Sequence, residues 1–308
     1  MSSSPLARPI VFVVGLQKSG TTLLQRLLSA HPGICDPWQG REGNAFWGNP
    51  PKFEDDGPAG RLARRADAGA GHALGAAHAQ PDVARELADR LAALLAARGE
   101  SAEAAYLLNK NPYNTVRIPW LKALFPRARV VATVRAPAAN AFSLLKRASK
   151  VPHRLNDGWF GVKPPGWPQL QDASMLLQSA RQWAAVNDGL LAELDRIDSL
   201  LVYDELCADP RGVLAALFDE LELARAPAAD LPATIRAYDG EYREGAALVS
   251  KNKLMKRQDR IDLDPQPGTP HGDWLPPLSA GEADRVEAIC RDTWTRLLDA
   301  PRFPRRAT

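Results

Sequence analysis

The sequence has few cysteines and little excess charge. Its 308 residues include three cysteines, Cys35, Cys207 and Cys290, which lie far apart and form no CxxC pair. So small a set excludes a disulfide framework and favours a reducing compartment, so we expect a cytoplasmic protein. The formal net charge is +3, from 39 basic and 36 acidic side chains. That near-balance argues against a nucleic-acid partner, for which a strong basic excess is typical.

Long hydrophobic runs are also missing. The first apolar run, residues 10–16, is too short for the core of a secretory signal. No stretch approaches the ~18 apolar residues of a membrane-spanning helix, so we expect no membrane span. No group of His, Cys and Asp residues has metal-ligand spacing, and no metal site is predicted. Hydrophobic residues nevertheless make up 45% of the chain, which is enough for a substantial core.

Four short, continuous apolar segments predict buried parallel strands, at residues 9–16, 106–109, 129–134 and 200–203. Continuous rather than alternating apolar runs are typical of a sheet that is covered on both faces. Helical patterns lie between and after these segments, at residues 19–30, 82–97, 138–150, 173–195, 210–221 and 282–298. Strands that alternate with helices predict a three-layer α/β domain with a central parallel sheet flanked by helices.

Three long loops interrupt this alternation, at residues 36–80, 151–172 and 225–281. We expect one domain over residues 1–308, and loops of this length in a compact domain are usually functional or disordered. Ligands of α/β folds bind beyond the carboxyl ends of the strands. The three loops are therefore predicted to border the site.

Residues 9–32 predict a phosphate-binding loop between a strand and a helix. The loop itself is GLQKSGTT, residues 15–22. Amide groups at a helix N-terminus and the helix dipole favour an anion, and Gly20 lets the backbone approach it closely. Lys18 adds a positive charge, and hydroxyl donors come from Ser19, Thr21 and Thr22. The Walker order G-x-x-x-x-G-K-[ST] is absent, because the lysine stands two residues before the second glycine.

This stretch, GLQKSGTTLLQRLLSAHP, resembles the 5′-phosphosulfate loop of sulfotransferases that use 3′-phosphoadenosine 5′-phosphosulfate (PAPS). The resemblance runs through four motifs in order, from residue 9 to about residue 223. It implies the P-loop-like sulfotransferase fold, PAPS as donor and 3′-phosphoadenosine 5′-phosphate (PAP) as product. It also implies transfer of a sulfuryl group, without a metal, to a hydroxyl or amine of a small-molecule, lipid or carbohydrate acceptor.

The second motif is RVVATVRAPAANAFSLLKRASK, residues 129–150, in which Arg135 ends a strand and Ser143 follows eight residues later. An arginine can fork onto a phosphate, and a helical serine can donate its hydroxyl. In the family an Arg and a Ser with this separation bind the 3′-phosphate of the cofactor, which implies that role here. Arg147 resembles a further basic contact of the tyrosylprotein branch. Asn140 stands where the family often has Asp.

The third motif, NKNP at residues 109–112, resembles the segment that faces the sulfuryl group. The aryl branch carries Lys-Thr-His there, with the His as general base, whereas this chain has Asn111 near that place. The motif is closer to the tyrosylprotein and carbohydrate branch, which carries Asn-Lys-Asp-Pro and uses a Glu as base. That resemblance implies that Lys110 helps to hold the transferring group and that Glu42 is the base. Asp36 is the competing carboxylate.

Two later segments complete the predicted site. Tyr203 ends the fourth strand in SLLVYDELCADP, and the resemblance implies that it approaches the adenine. The basic run at 250–257 is expected to close over PAPS, with Lys251 and Lys253 as contacts. Asp204 after the same strand would instead suit Mg²⁺, so a Mg²⁺-dependent P-loop kinase stays an alternative, as does a non-catalytic nucleotide-binding module. The sequence specifies neither the acceptor nor the oligomeric state.

Overall fold

A five-stranded parallel sheet forms the centre of the structure, a computed structural model that describes residues 9–48, 57–66, 68–98, 104–224, 242–244, 247–249 and 278–301. The strands are β1 (Ile10–Val14), β2 (Ile34–Cys35), β3 (Tyr106–Lys110), β4 (Arg129–Val134) and β5 (Ser199–Val202). Their order is β2-β3-β1-β4-β5, and every neighbouring pair is parallel. A second, antiparallel pair is formed by β6 (Tyr242–Glu244) and β7 (Ala247–Val249).

The helices are α1 (Thr21–Ser29), α2 (Asn44–Trp47), α3 (Pro58–Arg65), α4 (Pro81–Arg98), α5 (Ile118–Leu124), α6 (Pro137–Lys150), α7 (Met175–Ala192), α8 (Tyr203–Ala208), α9 (Pro210–Glu220) and α10 (Ala280–Asp299). Proline lies in the first turn of α3, α5, α6 and α9, where no amide hydrogen bond is needed. A capping box of Ser279 and Glu282 begins α10. Within the described ranges, none of these helices combines the length and apolar character that crossing a membrane requires.

Both faces of the sheet are buried, and β1 shows this most clearly. Its odd and even residues belong to two different cores. Phe12 packs in the larger core with side chains of α5, α6, α7 and α10, and Val13 packs in the smaller core with side chains of α1, α8 and α9. This arrangement explains the continuous apolar sequence of β1, and it gives the three layers that the sequence predicts.

The element boundaries differ from the sequence prediction in a few places. The two-residue β2 is too short to leave an apolar pattern, and it was not predicted. The stretch 36–80 is not one open loop, because it contains α2, α3 and short 3₁₀ turns. Tyr203 begins α8 instead of ending β5. Most of the predicted loop 225–281 lies outside the described residues.

Two of the predicted loops are joined by three hydrogen bonds, two between backbone groups and one to the His72 side chain. The His72 N–H donates to the Lys163 carbonyl (2.8 Å), and the Lys163 N–H donates to Nδ1 of His72 (2.8 Å). The Gly166 N–H donates to the Gly69 carbonyl (2.7 Å). Burial, and then the charges of Arg117 and Lys163, lower the pKa of His72 to about 3. A neutral His72 therefore takes part in the contact between the loops at 68–74 and 161–166.

His72→Asn should make the fold less sensitive to acid. The folded pKa of His72 lies below its ordinary value of 6.5, so its contribution is complete above pH 6.5 and is lost as the pH falls toward 3. The amide oxygen of Asn can still accept from the Lys163 N–H. Between about pH 6.5 and about pH 5, the wild type should lose about 1.5 kcal/mol more free energy of unfolding than the variant.

Urea titrations of both proteins at the two pH values measure this difference. Equal losses in the two proteins would mean that His72 takes up its proton while folded.

Candidate functional site

The carboxyl ends of four adjacent strands bring the predicted site residues to one edge of the sheet. Lys110 is the last residue of β3, the loop 15–20 follows β1, Arg135 follows β4 and Tyr203 follows β5. The pairing register aligns these ends, with Lys110 opposite Val13 of β1. Ligands of parallel sheets bind at this edge. Four distant parts of the sequence therefore meet at one site.

The loop after β1 has an unusual backbone. Lys18 and Gly20 both have positive φ, 75° and 98°. A Cβ on Gly20 would lie 2.3 Å from the ring of Tyr203, so only glycine fits without a shift of that ring. Gly20 is the N-cap of α1 and offers no side chain to its first-turn amides. Such a helix start suits an anion such as a phosphate.

Buried polar side chains from neighbouring elements hold this loop in place. They act through three hydrogen bonds: Gly15 N–H to Thr115 Oγ1 (2.8 Å), Thr133 Oγ1 to the Ser19 carbonyl, and Asn140 Nδ2 to the Gln17 carbonyl (2.9 Å). Asn140 stands where the family often has Asp, and an ionised Asp could not donate this bond. The prediction from sequence missed Thr115 and Thr133, because nothing in their local sequence marks them.

Arg135 lies between the loop and Tyr203. Its Nη1 donates to the Lys18 carbonyl (3.3 Å), and its Cζ lies 4.7 Å from the centroid of the Tyr203 ring. Trp183 Nε1 donates to the Arg135 carbonyl (3.1 Å) and fixes the backbone there. Ser143 is buried on α6. The structure thus brings Lys18, Gly20, Arg135 and Tyr203 into one contact group.

On the other side of β1, Lys110 forms an ion pair with Glu42. The Lys110 Nζ lies 2.7 Å from Glu42 Oε1, and the two side chains are 2% and 36% exposed. Asn111 Nδ2 donates to the Glu42 carbonyl (2.7 Å), and Asn44 Nδ2 donates to Glu42 Oε2 (3.4 Å). The carboxylate is thus held from several sides and still reaches solvent. Asn44 has no place in the sequence motifs and was not predicted.

Asp36 has a different setting in the same loop. Its carboxylate accepts from Gln25 Nε2 (2.8 Å), the Trp38 N–H (3.0 Å) and the Gly40 N–H (2.8 Å). Burial raises the pKa of Asp36, against the lowering effect of these hydrogen bonds. These three bonds occupy most of the acceptor positions of the Asp36 carboxylate. Asp36 is thus bound within its own loop and to α1, whereas Glu42 also faces solvent.

Of the remaining predicted residues, Arg147 lies on α6, and the two lysines of the late basic run lie outside the described residues. Arg147 is half-buried on α6, one turn after Ser143. Burial and the nearby Arg154 lower the pKa of Arg147, whereas Glu42 acts in the opposite direction. Lys251 and Lys253 lie outside the described residues. In the part of the chain that the structure describes, no group of three or more His, Cys, Asp or Glu side chains is arranged to hold a metal ion.

The fold has counterparts among solved structures. A sulfotransferase from Alicyclobacillus acidocaldarius has a TM-score of 0.50 and 17% identity, with 95% of each chain covered. A sulfotransferase from Mycobacterium tuberculosis has a TM-score of 0.42 and 18% identity, with 73% of this chain and 70% of that chain covered. At such identities the likeness is one of fold, and the first comparison confirms the predicted α/β class.

The sequence itself places the chain in a family. A model of the sulfotransferase family matches residues 9–227, so the chain belongs to that family, as the sequence motifs predicted. A curated relative, protein-tyrosine sulfotransferase 1 of Danio rerio, is 29% identical over 145 residues. The match covers 45% of this chain and 36% of the relative, so it spans about a third of the length of that relative.

Proposed function

We propose that the protein transfers a sulfuryl group from PAPS to a hydroxyl or amine of a small-molecule, lipid or carbohydrate acceptor and releases PAP. One observation carries this proposal: the loop with Lys18, the start of α1 and Arg135 converge at the sheet edge that also holds the Lys110–Glu42 pair. Family membership gives this convergence its chemical meaning.

The donor would be held at both of its phosphates. The amides of residues 19–22 suit the 5′-phosphate, because they begin a helix whose N-cap has no side chain. Arg135 and Ser143 suit the 3′-phosphate, and Tyr203 beside Gly20 suits the nucleoside. Further basic contacts are proposed for three cations: Arg147, Lys251 and Lys253. When bound, PAPS supplies the sulfuryl group that is transferred.

The catalytic roles follow from charge. Sulfuryl transfer resembles phosphoryl transfer in its in-line geometry and loose transition state, so positioning and charge stabilisation dominate. Lys18 would neutralise the charge that grows on the leaving phosphate oxygen. Lys110 has three N–H donors, so it can hold Glu42 and also contact the transferring group. Glu42 would take the proton of the acceptor hydroxyl.

Two alternatives arose from the sequence. Family membership favours a sulfotransferase over a Mg²⁺-dependent kinase, since the kinase shares only the P-loop-like fold. A non-catalytic nucleotide-binding module would bind PAP without turnover. An assay of sulfuryl transfer distinguishes such a module from an active sulfotransferase. The cytoplasmic location, the single domain over 1–308 and the lack of a nucleic-acid partner stay predictions.

PAP should bind at least ~10-fold more tightly than 5′-AMP, because the 3′-phosphate adds a charged contact worth roughly 1.5–3 kcal/mol. Isothermal titration calorimetry with PAP, 5′-AMP, ADP and ATP·Mg²⁺ measures the order of affinities. Arg135→Ala should remove most of the preference for PAP and leave 5′-AMP binding nearly unchanged. Equal affinity for PAP and 5′-AMP in the wild type would contradict a 3′-phosphate site, and a preference for ATP·Mg²⁺ would favour the kinase.

Lys18→Ala should lower kcat by about 100-fold or more, the scale for the loss of one preorganised charge stabiliser. Lys18→Arg should keep part of the activity, since it retains the positive charge. Transfer of labelled sulfate from PAPS to an acceptor, or release of PAP, gives kcat. Unchanged turnover in Lys18→Ala would exclude Lys18 from stabilising the leaving group.

Glu42→Gln should abolish most turnover, because the amide keeps the shape and cannot take a proton. The affinity for PAP should stay within a few-fold, as measured by calorimetry. Asp36→Asn is the matched control, a carboxylate-to-amide change in the same loop, and it should affect turnover much less. If Asp36→Asn were inactive and Glu42→Gln active, the base would lie at Asp36.

A further inference from the structure

Two asparagines contact the candidate base, Glu42: Asn111 follows the carboxyl end of β3, and Asn44 lies in the loop at 36–48. We propose that Asn111 and Asn44 are positioning residues, which hold the Glu42 backbone and carboxylate in the orientation that receives the acceptor proton. This inference rests on the proposed role of Glu42. It assigns a function to two side chains that do not themselves contact the reacting atoms.

Asn111 supplies the fixed end of this arrangement. It is fully buried directly after Lys110, and its Oδ1 accepts from the Tyr113 N–H (2.9 Å). A backbone N–H can only donate, so this contact identifies which end of the amide is the oxygen. The Nδ2 group must then point the other way. It donates to the Glu42 carbonyl (2.7 Å) and to Asn44 Oδ1 (3.2 Å).

Asn44 passes this orientation on to the carboxylate. Because its Oδ1 accepts from Asn111, its Nδ2 is the end that faces Glu42 Oε2, at 3.4 Å. The hydrogen bonds therefore run in one direction, from the Tyr113 N–H through Asn111 and Asn44 to the carboxylate. A donor at that position favours the ionised form of Glu42, which is the form that can take a proton. Lys110 holds the other oxygen, Oε1.

Several charged or titratable groups surround Glu42 besides these asparagines. Lys110 of β3 contacts it directly, and Arg147 of α6 interacts with it electrostatically. Arg154, in the turn after α6, acts on Arg147 and on Tyr113. Burial and the charge of Glu42 raise the pKa of Tyr113. These groups are the same in every variant at position 44, so a change in pH dependence between such variants reports on Asn44 itself.

Asn44→Asp is the decisive variant. It keeps the shape and the Oδ1 that accepts from Asn111, and it replaces the donor that faces Glu42 Oε2 with a second carboxylate oxygen. Two carboxylates at this distance disfavour ionised Glu42. The acid limb of the profile of kcat/KM for the acceptor against pH should move up by about 1 pH unit or more. The Kd for PAP should change less than about twofold.

Ala45→Asp is the matched control, because it adds the same charge at the next residue, which is exposed. Its acid limb should move by less than about 0.3 pH units, as expected for a screened surface charge. Asn111→Asp is a second variant, which keeps the acceptor for the Tyr113 N–H and loses the donor to Glu42. It should lower kcat about tenfold with PAP affinity retained. If Asn111→Asp fails to fold, the comparison of the pH profiles of Asn44→Asp and Ala45→Asp is enough to test the proposal.

The outcomes separate this inference from the proposed function. If Asn44→Asp and Ala45→Asp had the same profile of kcat/KM against pH, and Glu42→Gln were inactive, the positioning role would be overturned and Glu42 would remain the base. Full activity of Glu42→Gln would overturn both. A shifted acid limb in Asn44→Asp alone, with unchanged PAP affinity and an inactive Glu42→Gln, would support the positioning role.

Discussion

A buried ammonium group at the end of β3 imposes the constraint on which the site depends. Lys110 is 2% exposed, and a lysine in that position must be neutralised or lose its charge. Its partner, Glu42, lies 68 positions earlier in the sequence, in a loop with little regular structure. The ion pair therefore requires this loop to lie against the edge of the sheet. Asn111 adds a second tie at the same point, because it donates to the Glu42 carbonyl.

On the other side of β1, the same sheet edge presents positive charge and donors that would suit an anion. There the loop and the start of α1 gather positive charge and amide donors, and Arg135 lies beside them. The Tyr203 ring contacts both Gly20 and the Arg135 guanidinium, so one aromatic side chain fixes the spacing between two groups that suit phosphates. Glu42 and its partner Lys110 lie on one side of β1, and the loop with Lys18 and Arg135 lies on the other.

Much of this arrangement could be predicted from the sequence because local patterns carry it. Continuous apolar runs identified the four longer strands, and the order Lys-Ser-Gly-Thr-Thr identified the loop. Strand ends then placed Lys110 and Arg135 at one edge. The two-residue β2 left no such pattern, because it is shorter than the period that reveals a strand. Resemblance to the family suggested Glu42, and no local pattern could have paired it with Lys110.

The hydrogen bonds that hold the loop in place could not be predicted, because no local sequence pattern marks the residues that form them. Thr115 and Thr133 bind the loop backbone at residues that lie 100 and 114 positions earlier in the sequence. Each is an ordinary buried threonine in its own segment. Hydrogen bonds between distant segments depend on register and rotamer, which only the folded chain defines. Residues that act through such bonds are therefore found by their partners in the structure rather than by any motif.

The two carboxylates of the loop at 36–48 show how environment divides such roles. Asp36 accepts three hydrogen bonds from its own loop and from α1, and those bonds shape the turn that leads to Glu42. Glu42 contacts a buried cation on one side and solvent on the other. The three hydrogen bonds of Asp36 occupy most of its acceptor positions, whereas Glu42, the proposed base, is held in place and still reaches solvent. The bonds of Asp36 therefore form the first part of the loop, and Lys110 and Asn111 hold Glu42 in place while its carboxylate still reaches solvent.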